Sequence, residues 1–172
     1  SNCTVTGDSR FDRVITNTKN KKNIPLIELF SKNKFTVICG SSWPRDEKIL
    51  LKYINKNPQY NYIIAPHELE KTNTLKQYNN AVLFSNANKN NILNSNVLII
   101  DSIGLLSNIY QYGNIAYVGG GFDSGIHNIL EAVAFGLPVI FGPNYKKFNE
   151  AHDLIKLNGA KSITNYMQLE SS

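Results

Sequence analysis

The stretch YVGGGFDSGIHNILEAVAFGLPVIFGP, residues 117–143, decides how the rest of the chain is read. Its first residues complete an apolar run, Ile115-Ala116-Tyr117-Val118, of the kind that forms a buried strand. Three glycines follow, Gly119, Gly120 and Gly121, and then a loop closed by Ser124 and Gly125. The pattern predicts a helix that starts near His127 and stops at Gly136, because Pro138 cannot continue it. Strand, glycine-rich turn and helix start together make an anion site. Glycine lets backbone N–H groups approach a ligand, and a helix N-terminus supplies unpaired donors.

His127, Asn128 and Glu131 stand three and four residues apart, so the predicted helix puts them on one face. Ile129, Leu130, Val133 and Ala134 are left to face the sheet. Glu131 can accept two hydroxyl hydrogens at once, as the adjacent 2′ and 3′ hydroxyls of a ribose offer. A phosphate site beside a diol-reading carboxylate points to a nucleotide. The same residues also fit a structural reading, a tight glycine turn with Glu131 complementing the helix dipole.

Working outward, buried strands alternate with helices along the whole chain. Strands are predicted at 35–40, 61–65, 82–85, 97–101, 115–118, 138–141 and 160–163. Helices are predicted at 9–16, 24–30, 45–55, 68–78, 104–110, 127–136 and 147–157, with exposed polar connections at 16–23 and 89–95. Alternation of this kind means parallel βαβ units, hence an α/β fold with a doubly wound parallel sheet and helices on both faces. Ligands in such sheets bind outside the C-terminal strand ends, where the strand order reverses. Ser41, Ser42, Pro66, His67, Gly119 to Gly121 and His127 all fall at those ends. Asp101, at the end of a strand, reads as a helix cap rather than a catalyst.

With 172 residues the chain fits one domain, or one lobe of a larger enzyme. Hydrophobic residues are 42% and charged residues 18%, a globular rather than a disordered composition. The net charge of +5 comes without a dense arginine block or a basic-aromatic ladder, so a nucleic-acid surface is weakly indicated. An anionic membrane face or an acidic substrate fits that charge equally well. Cys3 and Cys39 form no disulfide framework, and no Cys/His cluster points to zinc. No apolar run spans a bilayer and no signal peptide is present, which makes a cytoplasmic location the default.

A dehydrogenase would place G-x-G-x-x-G on the first strand, but Ser124 occupies the last position counted from Gly119, and the glycines come late. A Walker A loop is absent as well. The arrangement resembles the C-terminal lobes of two-lobed GT-B glycosyltransferases, which carry a late glycine-rich loop and then a helix with an early glutamate for the donor ribose. Within that superfamily it is most similar to the 3-deoxy-D-manno-octulosonic acid (Kdo) transferases of lipopolysaccharide synthesis. The similar pieces are TGDSRFDRV at 6–14, GSSWPRDE at 40–47, APHE at 65–68, DSIGLL at 101–106, the block at 117–143 and NYKKFNEA at 144–151. The family usually has an arginine where this chain has His67, and prolines where it has Ile129 and Ala132.

The resemblance implies that residues 1–23 are an interdomain-derived lead-in and helix. Residues 24–172 would then form a Rossmann-like nucleotide-sugar-binding domain, the C-terminal half of a GT-B fold, with the N-terminal lobe missing from this chain. It implies a CMP-Kdo donor, a lipid A precursor as acceptor, inversion at the anomeric carbon, and neither a metal nor another cofactor. Ser41, Ser42, Gly120, Gly121 and His127 would bind the donor phosphate, Asn128 and Glu131 the ribose, and Pro66 and His67 the base. No catalytic residue is expected in this chain, since the general base belongs to the N-terminal lobe, so the chain alone should be inactive. The full-length enzyme would work at the cytoplasmic face of the bacterial inner membrane, with peripheral contact to anionic lipid. Other readings are a GT-B enzyme that uses a UDP-sugar, either a transferase or a UDP-N-acetylglucosamine 2-epimerase, and a basic RNA-binding module.

Overall fold

The computed structural model describes residues 9–69 and 77–172. Much of the helix expected at 68–78, and the Thr6 to Asp8 part of the TGDSRFDRV block, lie outside the described residues. Seven strands form one sheet in the order β3-β4-β2-β1-β5-β6-β7. They are β1 (Thr36–Ser42), β2 (Asn61–Pro66), β3 (Ala81–Leu83), β4 (Val97–Ile99), β5 (Ile115–Val118), β6 (Val139–Phe141) and β7 (Ala160–Ser162). Every pairing is parallel, with Ile38 opposite Ile63 on one side of β1 and Ala116 on the other. The doubly wound parallel sheet expected from the sequence is the one observed.

Parallel strands are covered on both faces, which is why the central ones are buried almost without interruption. Alternate residues supply two separate cores. Ile38, Ile63, Leu98, Ala116, Val118, Val139 and Phe141 point to one face. That face is covered by α2 (Pro25–Ser31), α4 (Lys89–Leu93), α5 (Leu106–Ile109), α6 (Leu130–Val133) and α7 (Asn149–Lys156). Cys39, Tyr62, Ile64, Val97, Ile99, Tyr117 and Ile140 point to the other, under α3 (Pro44–Lys56) and α8 (Tyr166–Glu170). An eighth helix, α1 (Ser9–Lys19), lies against α5 and α6.

Chain order reverses at β1. The strands up to β4 build outward on one side, and β5 to β7 on the other. The crevice between the C-terminal ends of β1 and β5 is therefore the switch point at which such sheets hold ligands.

The boundaries differ from expectation in four places, each for a local reason. The stretch 89–95 is helical rather than a loop over α4, because the Asn88 side chain accepts from the Asn90 and Asn91 N–H groups and caps it. Asn165 caps the unanticipated α8 through the Gln168 N–H. Helix α1 runs on to Lys19, into the stretch read as a connection. The helix expected from His127 is the single turn of α6: the Asn128 side chain takes the Leu130 N–H, so the turn begins after it, and the Phe135 and Gly136 N–H groups tighten onto the Ala132 and Val133 carbonyls, so it closes early.

Gly119 and Gly121 are glycines because backbone passes where a Cβ would stand. At Gly119 that position is filled by the Ser41 carbonyl and by Ser42 Cα at 2.7 Å; at Gly121 it is filled by Gly142 Cα at 2.7 Å. Gly119→Ala is expected to lower the unfolding free energy by more than about 2 kcal/mol. Gly159→Ala, where Leu154 Cδ2 stands at an ordinary 3.4 Å, should stay within about 0.5 kcal/mol of wild type in the same urea titration.

Candidate functional site

Helix α3 carries a buried stripe at Ile54, Leu50 and Asp46, four residues apart. The stripe is apolar until its last member, which brings a carboxylate to the ends of β1 and β5 with no exposure to solvent. Asp46 Oδ2 accepts from the Trp43 N–H at 2.9 Å and from the Gly120 N–H at 2.8 Å. Asp46 Oδ1 accepts from the Tyr117 hydroxyl at 2.7 Å. One carboxylate thus ties together the start of α3, the end of β5 and the glycine loop. Burial foremost, and then the Asp46 charge, push the Tyr117 phenol far above its ordinary range, so it acts here only as a donor. The neighbouring Glu47 accepts from Ser42 Oγ at 3.1 Å, and its burial raises its pKa.

Above this carboxylate three rings meet. Trp43, which precedes Pro44 at the first position of α3, stacks on His67 with centroids 4.6 Å apart and planes 13° apart. His67 follows β2, and its N–H is held by the Ser42 carbonyl. His127 stands 4.5 Å from His67 by ring centroid, and its Nε2 accepts from Trp43 Nε1 at 2.7 Å. Burial chiefly, with the His67 ring second, lowers the His127 pKa, against a smaller upward pull from Asp46.

His127 also opens onto a cleft of about 430 Å³. Asn128 and Glu131 line one wall, Phe148 and Glu150 another, and α1 supplies the rest through Arg10, Arg13 and Asn17. Asn128 Oδ1 accepts from the Leu130 N–H, which starts α6, and its amide stands 3.4 Å from Glu131 Oε1. Burial raises the Glu131 pKa, with Asn128 and the Arg13 charge opposing it. Arg10 donates to Glu150 at 3.0 Å.

The residues named from the sequence therefore fall into connected but different surroundings. His67 and His127 gather around Trp43, Pro66 pairs with Ser42 at the end of β2, and His127, Asn128 and Glu131 share the cleft. Asn128 and His127 precede α6 rather than riding on it. The Ser42 hydroxyl and the Gly120 N–H are given to Glu47 and Asp46, and Gly121 is packed on Gly142. Ser41 lies in β1 with a positive φ of 51°, and Asp101 holds the Ser85 N–H and hydroxyl rather than a helix start. Trp43, Asp46, Glu47, Arg10 and Arg13 went unread as site residues. A Trp-Pro helix start with an acid at its third position was the available signal for Asp46. The spacing of Arg10 and Arg13 on one helix face was the signal for the cleft wall. Among the described residues no group of three or more His, Cys, Asp or Glu side chains is placed to hold a metal ion.

Asp46→Ala leaves three buried donors without an acceptor and is expected to lower stability by about 3–5 kcal/mol by urea denaturation. Glu131→Gln should act in the opposite direction. A carboxyl whose folded pKa is raised contributes stability below its unfolded pKa and loses it as pH climbs through the folded value. The variant removes that loss. Its melting temperature should exceed wild type at pH 7.5, and the gap should shrink when both are melted near pH 4.

No protein-family model matches the chain. Curated relatives do. It is 28% identical over 155 residues to the 3-deoxy-D-manno-octulosonic acid transferase of Rickettsia typhi, a match that covers 85% of this chain and 34% of that protein. It is 31% identical over 157 residues to the same enzyme of Rickettsia bellii, covering 86% of this chain and 37% of the relative. The chain spans about a third of the length of the curated relatives it matches. Among solved structures, the C-terminal CMP-Kdo binding domain of WaaA from Acinetobacter baumannii superposes with a TM-score of 0.70. That match covers 95% of this chain and 86% of that domain at 19% identity, so it speaks for the fold. The chain thus belongs to the family of the 3-deoxy-D-manno-octulosonic acid transferases, of whose length it spans about a third, and it is folded like the C-terminal CMP-Kdo binding domain of WaaA.

Proposed function

We propose that this chain is the donor-binding lobe of a Kdo transferase and holds CMP-Kdo in the cleft between α1 and α6. The observation that carries the reading is the convergence of Glu131, Asn128 and His127 with Arg13 in one cleft beside the sheet's switch point. Glu131 accepts the two ribose hydroxyls, and Asn128 orients it. The Trp43–His67 stack and Pro66 form the neighbourhood of the cytosine.

Donor charge is held by groups that face the cleft. His127 offers a ring nitrogen and the guanidinium of Arg13 adds a positive charge with phosphate-matching geometry. Ser41 and Gly121, which do not line the cleft, are proposed as further phosphate contacts at its edge. In transfer, the bond between the anomeric carbon and the CMP phosphate breaks as the acceptor hydroxyl attacks from the opposite face, which inverts that centre. Charge grows on the departing phosphate, and fixed donors aimed at it lower the barrier. This account calls on no metal. The base that takes the acceptor proton, and the surface that binds a lipid A precursor, belong to an N-terminal lobe outside this chain. The basic net charge suits a peripheral approach of the whole enzyme to an anionic inner membrane. Among the described residues no helix is long and apolar enough to cross a membrane.

Calorimetric titration with CMP, UMP and UDP tests the reading. CMP is expected to bind selectively, and Glu131→Ala to weaken it by roughly 10- to 100-fold through loss of the hydroxyl contacts. Preference for UDP would move the chain to an enzyme that uses a UDP-sugar. Sugar transfer by this chain alone would contradict the division of labour between lobes.

A further inference from the structure

The bond between Trp43 and His127 does more than pack two rings. An indole N–H only donates, so the His127 Nε2 that accepts it at 2.7 Å carries no proton. A neutral imidazole has one N–H, which must then sit on Nδ1. An imidazolium would set an N–H against an N–H and lose the bond, so the contact also disfavours protonation. The Cδ2–Nε2 edge of the ring is turned to Gly120 and Trp43, with Cδ2 at 2.9 Å from where a Gly120 Cβ would lie. The opposite Nδ1 side of the ring is turned away from both, and His127 lines the cleft.

We infer that Trp43 is a positioning residue, whose indole N–H holds His127 as the neutral Nδ1–H tautomer and so presents an uncharged donor to an anionic oxygen of the bound nucleotide. This rests on the nucleotide reading of the cleft for its ligand, but the tautomer itself does not. The electrostatic surroundings agree. Around His127 stand His67 after β2, Asp46 on α3, Glu131 on α6, Glu150 on α7, and Arg10 and Arg13 on α1. Burial and His67 outweigh Asp46, and the balance favours the neutral ring. A neutral donor is unaffected by pH over the physiological range, whereas a free histidine would change its charge there.

The test is Trp43→Phe, which keeps an aromatic face for His67 and removes the N–H together with part of the indole's area; the pH dependence of CMP affinity separates the two losses. In this chain labelled with 15N-histidine, with the signal assigned by His127→Gln, wild-type His127 should show a protonated Nδ1 and a bare Nε2. Trp43→Phe should shift the ring toward the Nε2–H tautomer and raise its protonation midpoint. The ratio of CMP affinities, variant to wild type, should fall about tenfold at pH 8. That ratio should recover as pH is lowered and the freed ring becomes charged; the titration of the phosphate cancels in it.

A wild-type ring protonated on Nε2 would overturn the inference outright. A loss in the variant that is the same at every pH would also overturn it, since Trp43 would then only pack. Absence of CMP binding by wild type, with the tautomer as expected, would instead strike the nucleotide reading and refute the ligand half of the inference.

Discussion

Asp46 takes hydrogen bonds from Trp43, Tyr117 and Gly120 in a place that water does not reach. A buried carboxylate is tolerated only when its oxygens are satisfied, and here the donors come from segments more than seventy residues apart. The glycine loop is therefore not free to hover over the sheet as an empty anion cradle. It is drawn down onto α3, close enough that Gly119 touches the backbone of Ser41 and Ser42. Gly120 takes a φ of +89° to make the turn, a conformation that glycine adopts without strain. The ring cluster follows from the same restraint, since the Trp43 N–H held by Asp46 fixes the base of the indole that stacks on His67.

That restraint also bears on where an anion can sit. Asp46 and Glu47 place carboxylates beneath the loop, where further negative charge is costly; burial foremost, with the Asp46 charge a smaller contributor, raises the Glu47 pKa. An anion seated on the Gly120 N–H would have to displace one negative charge with another. On the cleft side the charges are mixed: Arg10 is paired with Glu150, and Arg13 stands on α1 across from His127 and Glu131, so positive charge is at hand there as it is not beneath the loop. Helix α1 thus has a role that its position at the edge of the fold would not by itself indicate. It closes the cleft that the sheet's switch point opens.

The fold was legible because burial writes itself directly into the strands. Ile38, Ile63 and Leu98 on one face and Cys39, Ile64 and Ile99 on the other leave runs of apolar residues that have few other uses. The exact helix ends were not legible, because they depend on which partner takes a given N–H. Nothing in the order of residues says that the His127 N–H will go back to Gly119 or that Asn88 will cap α4. The gathering of Glu131, Asn128, His127 and His67 at one end of the sheet was legible from residue type and place after a strand. Asp46 and Arg13 were hidden for opposite reasons. Asp46 looked like an ordinary first-turn acid, and Arg13 stands more than a hundred residues from the Glu131 whose charge it tempers.

A site built this way handles charge differently from a helix N-terminus. A single turn such as α6 has almost no macrodipole to lend, since that field is the sum of many aligned peptides. On the proposed reading the donors that remain are discrete: a ring nitrogen of His127, bonded through its other nitrogen to an indole, and the guanidinium of Arg13 on a separate helix. Discrete donors can be aimed at an oxygen that gains charge only as a bond breaks, whereas a dipole attracts an anion at every stage of the reaction. Stabilisation that grows toward the transition state is the kind that accelerates chemistry. For the ring nitrogen the buried Asp46 does the aiming, because it fixes the loop and the backbone of the indole to the same carboxylate.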